Sequence, residues 1–152
     1  ITNVPRGLFD CCDGLEEITI PNTVTNIGSS AFHNCTSLTK ITLPNQITEI
    51  HVNTFNNCTS LIEVEIPNTV TDIENQAFYE CSSLKSIVIP DGVTYIGSYA
   101  FDSCVSLENV KLPNNIQSIS GYVFRNCKSL KTIDFPETVN IIHNYVKFVE
   151  IC

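Results

Sequence analysis

Residues 31 to 44 read Ala31-Phe32-His33-Asn34-Cys35-Thr36-Ser37-Leu38-Thr39-Lys40-Ile41-Thr42-Leu43-Pro44, and residues 54 to 67 read Thr54-Phe55-Asn56-Asn57-Cys58-Thr59-Ser60-Leu61-Ile62-Glu63-Val64-Glu65-Ile66-Pro67. The second stretch is the first, displaced by 23 residues. Outward in both directions the same interval carries Phe9, Phe32, Phe55, Phe78, Phe101 and Phe124, then Cys12, Cys35, Cys58, Cys81, Cys104 and Cys127. Leu15, Leu38, Leu61, Leu84, Leu107 and Leu130 form a third column, and Pro21, Pro44, Pro67, Pro90, Pro113 and Pro136 a fourth. A period of this length means one supersecondary unit per repeat, stacked so that neighbours bury a face none could bury alone.

The run Leu38-Thr39-Lys40-Ile41-Thr42-Leu43 ends in alternation of β-branched and polar residues, which predicts a short strand. Pro44 then lacks the backbone donor a ladder needs, so the Pro column marks strand edges. A second alternating piece, Val24-Thr25-Asn26-Ile27, follows a turn marked by Asn22 and its equivalents Asn45, Asn68, Asp91 and Asn114. Two short parallel strands per coil are therefore expected, one on each side of the stack. Ser30-Ala31-Phe32 reads as a turn, or a single helical turn, that places Phe between them. Thr2, Thr25, Thr48, Thr71 and Thr94 form a hydroxyl ladder on the outer strand.

The Leu-x-x-Ile-x-Leu run followed by Pro, with Ala-Phe-x-x-Cys-x-Ser-Leu before it, resembles the BspA-like (Treponema pallidum type) leucine-rich repeats. The resemblance spans the whole chain. It implies a leucine-rich-repeat solenoid, mainly β, of about six and a half coils. Residues 1–152 are read as one such domain, a fragment or processed form of something longer, because Met is absent and Ile1-Thr2-Asn3-Val4 already stands in the register of Val24-Thr25-Asn26-Ile27. Residues 137–152 are read as a degenerate last repeat or a cap: Lys147 stands where Phe belongs and Glu150 where Cys belongs. In the first unit Pro5-Arg6-Gly7-Leu8 departs from the pattern, so an irregular outer strand is expected there.

Eight cysteines in a short chain ordinarily suggest a disulfide framework. Six of them share one column beside Phe and Leu, and a buried free Cys behaves as a small apolar residue, so Cys12, Cys35, Cys58, Cys81, Cys104 and Cys127 are expected as a reduced, buried ladder. Cys11 falls in a column otherwise held by Asn34, Asn57, Glu80, Ser103 and Asn126, which predicts exposure. Cys152 lies six coils away from it, too far for pairing within one chain.

The net charge of −8 disfavours a phosphate-backbone partner, so nucleic acid is excluded as a class. The imbalance is concentrated: residues 1 to 82 hold ten acids and two bases, and residues 83 to 152 hold six of each. No stretch approaches the length of a transmembrane segment. No two of His33, His51 and His143 form an evident metal pair or proton relay, and surface histidines are the expectation. His33 lies close to Cys35, yet Cys35 is one of six equivalent core positions, which is the wrong place for a nucleophile. Glu63 and Glu65, two apart on a strand, face the same solvent side. With no phosphate loop and no paired Cys-x-x-Cys, the reading is a non-enzyme without cofactor or metal.

The informative surface is the row beside the buried Ile column: Glu17, Lys40, Glu63, Ser86, Asn109 and Thr132 on one flank, and Thr19, Thr42, Glu65, Val88, Lys111 and Asp134 on the other. Its chemistry does not repeat, and such a row is the usual binding face of a leucine-rich solenoid. The resemblance implies a cell-surface protein that adheres to host or matrix proteins through this face. The alternative is an intracellular or membrane-peripheral adaptor in a reducing cytoplasm, regulating protein phosphatase 1 through Val146-Lys147-Phe148, whose minimal V-x-F core matches that enzyme's docking motif. The basic residue expected just upstream is missing, since Asn144-Tyr145 precede the motif, so a capping role for Val146 and Phe148 is the preferred reading. A homodimer through the solenoid ends or Cys152 is a further expectation. Asn34-Cys35-Thr36 and Asn57-Cys58-Thr59 match the N-glycosylation sequon, which the repeat itself generates.

Overall fold

A computed structural model describes residues 1–143, and in it the two alternating pieces of each repeat form two rows of short strands. The outer row holds Asn3–Val4 (β1), Asn26–Ile27 (β3), Glu49–Ile50 (β5), Asp72–Ile73 (β7), Tyr95–Ile96 (β9), Ser118–Ile119 (β11) and Ile141–Ile142 (β12). The inner row holds Glu17–Thr19 (β2), Lys40–Thr42 (β4), Glu63–Val64 (β6), Ser86–Val88 (β8) and Asn109–Lys111 (β10). All pairing is parallel: β2-β4-β6 and β8-β10 inside, β1-β3, β5-β7-β9 and β11-β12 outside. Register advances by one repeat per coil, so Ile18 faces Ile41 and Ile41 faces Val64. The molecule is a right-through stack of coils whose hydrogen bonds run along its length.

Between the rows the chain is all turns, and the Phe segment contains no helix. Pro carbonyls close turns, as where the Val24 and Val70 amides donate to Pro21 and Pro67 at 2.9 and 3.0 Å. Two further columns adopt left-handed backbone: Ser30, Asn53, Gln76, Tyr99 and Tyr122, and Cys11, Asn34, Asn57, Glu80, Ser103 and Asn126, all with φ between 57° and 63°. Only Gly7 supplies a glycine in this set. The conformation turns the amide along the stack, so that Asn34 N–H donates to Asn56 at 2.9 Å and Asn57 N–H to Tyr79 at 2.7 Å in the following coil. A non-glycine residue held there costs of order 1 kcal/mol, offset by the extra bond between coils.

The core is the columns themselves. Phe32, Phe55, Phe78 and Phe101 are wholly buried, and the rings from Phe9 to Phe124 stack at centroid spacings of 5.1 to 5.7 Å. Each buried Phe contributes roughly 1.5–3 kcal/mol by transfer from water. Cys35, Cys58, Cys81, Cys104 and Cys127 are buried and free, and each thiol donates to the carbonyl of the Phe one coil earlier: Cys58 to Phe32 at 3.1 Å, Cys81 to Phe55 at 3.2 Å. The thiol is thus a weak donor as well as a filler. Thr54 replaces the Ala of its column and stays buried because its hydroxyl donates to His51 O at 2.8 Å.

Three expectations need correction. Cys12 is only half-buried, so the buried ladder has five members among the described residues rather than six. The outer strand of the first coil is regular despite Pro5-Arg6-Gly7-Leu8: β1 pairs with β3 in register, and Gly7 takes the left-handed position at φ 64°. In the other direction, residues 131–135 form no strand, so Thr132 and Asp134 extend the inner row without a ladder to β10.

Candidate protein-binding face

Because side chains alternate across a strand, burying Ile18, Ile41, Val64, Ile87 and Val110 toward the core turns their neighbours outward. All twelve residues of the expected row are exposed: Glu17, Thr19, Lys40, Thr42, Glu63, Glu65, Ser86, Val88, Asn109, Lys111, Thr132 and Asp134. The structure brings the middle of that row together in one groove of about 1030 Å³ across β4, β6 and β8. Lys40, Thr42, Glu63, Glu65, Ser86 and Val88 line it, with Asn45, Asn68 and Thr69 from the turns after the strands. Glu17, Thr19, Asn109, Lys111, Thr132 and Asp134 lie outside it. The turn residues are the part that sequence reasoning missed; their common position one turn past the Pro column was the available signal.

The groove combines both charges with an apolar patch. Lys40 stands in register between Glu17 and Glu63. None of Lys40, Glu63 and Glu65 is in an ion pair among the described residues, so their charges face solvent. Val88 is 60% exposed, the most open apolar side chain of the inner row. Such a surface can take a partner's backbone and mixed side chains.

Elsewhere, polar side chains form structural pairs. His33 Nδ1 lies 2.8 Å from Asp10 Oδ1, and that hydrogen bond holds the Asp10 carboxyl below its usual range. His33 is therefore not aimed at Cys35, whose thiol donates to Phe9 O at 3.0 Å and is pushed up to about 11 by burial. Cys11 is exposed as expected. Asp102 is fully buried and accepts from Arg125 Nε at 2.9 Å, while the guanidinium lies 5.1 Å from the Tyr99 ring centre and 5.3 Å from that of Tyr122. Asn57 Nδ2, the acceptor atom of one sequon, donates to Asn34 Oδ1 at 2.8 Å. Val146, Phe148 and Cys152 lie outside the described residues, and with them the phosphatase motif, the cap and any link through Cys152. No helix among the described residues is long and apolar enough to cross a membrane.

Parallel strand rows, a Leu-Phe-Cys core and a variable inner face define a leucine-rich repeat solenoid, a scaffold class that is generally non-enzymatic. The chain belongs to the BspA type leucine rich repeat region family, whose model matches residues 2–104 and 48–148 with six copies. Among solved structures it is similar to a leucine-rich repeat protein from Bacteroides ovatus (37% identity, TM-score 0.93, 96% of this chain and 38% of that one). It is also similar to the T. pallidum leucine rich repeat protein (33% identity, TM-score 0.90, 93% of this chain and 67% of that one). A leucine rich cell surface protein from Faecalibacterium prausnitzii is 32% identical at TM-score 0.81, over 93% of this chain and 38% of its own. The chain thus spans little more than a third of two of these proteins. Among curated proteins it has no match.

Proposed function

We propose that this chain is the protein-binding part of a cell-surface protein, engaging a host or matrix protein through the groove over β4, β6 and β8. The observation that carries the reading is the contrast between a core repeated in every coil and an exposed row whose chemistry changes from coil to coil, with unpaired Lys40, Glu63 and Glu65 beside Val88. The surface location rests on the family and on the printed description of the F. prausnitzii neighbour.

The test is adhesion of purified chain to immobilised extracellular-matrix proteins, with Lys40→Ala, Glu63→Ala and Glu65→Ala combined in one variant. Weaker binding by at least tenfold with an unchanged melting temperature supports the reading. Binding that persists in the triple variant, or that falls equally when Thr25, Thr48 and Thr71 of the outer row are changed, refutes it.

A further inference from the structure

On the outer row, away from the groove, Glu49, His51 and Glu74 converge. Glu49 lies in β5, His51 directly follows that strand, and Glu74 directly follows β7 in the next coil. His51 Nδ1 is 3.2 Å from Glu49 Oε2 and 3.6 Å from Glu74 Oε2, and one ligating atom from each residue fits within 4.8 Å of the others. Ligand bonds of about 2.0–2.2 Å put neighbouring donors of a bound transition-metal ion roughly 3–3.5 Å apart, so the trio nearly has that spacing already.

The surroundings orient the imidazole for this task. His51 Nε2 lies 3.0 Å from Asn26 Oδ1, and Asn26 Nδ2 donates in turn to Asn3 Oδ1 at 2.6 Å, which fixes the oxygen of Asn26 toward the ring. With Nε2 turned to Asn26 Oδ1, Nδ1 is the ring atom that faces the two carboxylates. In the neutral ring with its proton on Nε2, that arrangement is one a cation completes. Holding one imidazole nitrogen by a carbonyl oxygen while the other ligates is the usual outer support of metal-bound His. Glu74 Oε2 is itself positioned by the Val52 amide, which donates to it at 2.9 Å. Asp72, beside Glu49 in register, adds a third carboxylate to the local field.

His51 and Glu74 stand at the same repeat position in consecutive coils, in a column that elsewhere holds Pro5, Gly28, Gly97, Ser120 and His143. Two adjacent coils thus bring a metal-ligating side chain to the same spot. We propose that Glu49, His51 and Glu74 form a binding site for a divalent first-row transition ion of the zinc class, supported by Asn26. One imidazole with two carboxylates suits such an ion better than magnesium or calcium, which favour all-oxygen sets. The ion would tie two coils together, with its remaining positions open to water, since Glu49, His51 and Glu74 are 42%, 25% and 33% exposed.

The experiment uses the chain with Cys11→Ser, Cys12→Ser and Cys152→Ser, so that thiols outside the buried ladder do not compete, and titrates Zn²⁺ by calorimetry and Co²⁺ by visible absorption at pH 7.5. One equivalent is expected to bind, with zinc shifting the His51 Nδ1 resonance. His51→Gln and Glu74→Gln should abolish saturation, the latter while still offering an acceptor to the Val52 amide. Asn26→Ala should raise Kd about tenfold, and His33→Gln should change nothing. The proposal is overturned if zinc is not taken up, if uptake is unchanged in His51→Gln, or if His51 binds only a proton and its Nδ1 resonance follows pH alone.

Discussion

Raising the pH tests the core ladder directly. Burial pushes Cys35 up to about 11 and Cys127 to about 12, and it raises Cys58, Cys81 and Cys104 well above the ordinary value of 9.0. The unfolded chain ionises the same thiols near 9.0. A group whose pKa is raised by folding contributes its full stability below the unfolded value and loses it as pH rises, so nothing changes at pH 7 and the loss begins near 9. Each protected thiol then removes about 1.4 kcal/mol per pH unit, and five together about 7 kcal/mol per unit, until Cys35 starts to ionise in place. A domain of this size holds about 5–15 kcal/mol, so the solenoid should unfold between about pH 10 and 11. Urea melts with reductant present, at half-unit steps from pH 8 to 11, give the slope. Replacing Cys81 and Cys104 by Ala lowers stability at pH 7 but should flatten the alkaline slope to about 4 kcal/mol per unit. A stability that is level to pH 10.5, or a slope indifferent to those two replacements, refutes the argument.

Two further predictions rest on single contacts. Arg125→Ala leaves the buried Asp102 carboxylate facing only Ser103 and Asn126, and should cost about 3 kcal/mol in urea unfolding. Asp102→Asn leaves Arg125 able to reach water and should cost about 1 kcal/mol; equal losses would show that the pair is not the determinant. Glu80→Asn places a residue tolerant of left-handed backbone at φ 57° and should raise the melting temperature, by about 0.5–1 kcal/mol of stability, as read by calorimetry.

Much of the architecture was legible because a period of 23 residues converts one alignment of Phe, Cys, Leu and Pro into a complete core, and alternation around Ile41 says which side chains point out. Thus the whole inner row was found exposed where expected. What the columns hide is hydrogen bonding. Nothing in the letter sequence says that the Cys58 thiol reaches the carbonyl of Phe32, or that Gln76, Glu80 and Tyr99 sit at positive φ, since none is a residue that advertises it. Membership of the Cys column likewise does not set the degree of burial, since Cys12 is half-buried where Cys35 is buried. His51 was passed over because histidines were compared with one another; the same ruler applied to the Gly28 column would have set His51 against Glu74 in the next coil.

The hydrogen bonds of this molecule run along its length, and each coil touches only its neighbours. Tension applied between its two ends therefore opens coils by peeling from an end, breaking bonds in succession rather than together. One coil of 23 residues releases roughly 80 Å of extended chain where it had occupied about 5 Å of the stack. Such a body behaves under load as a paying-out line: it lengthens while the coils still stacked keep their groove, so a partner held over β4, β6 and β8 need not be let go when the terminal coils yield.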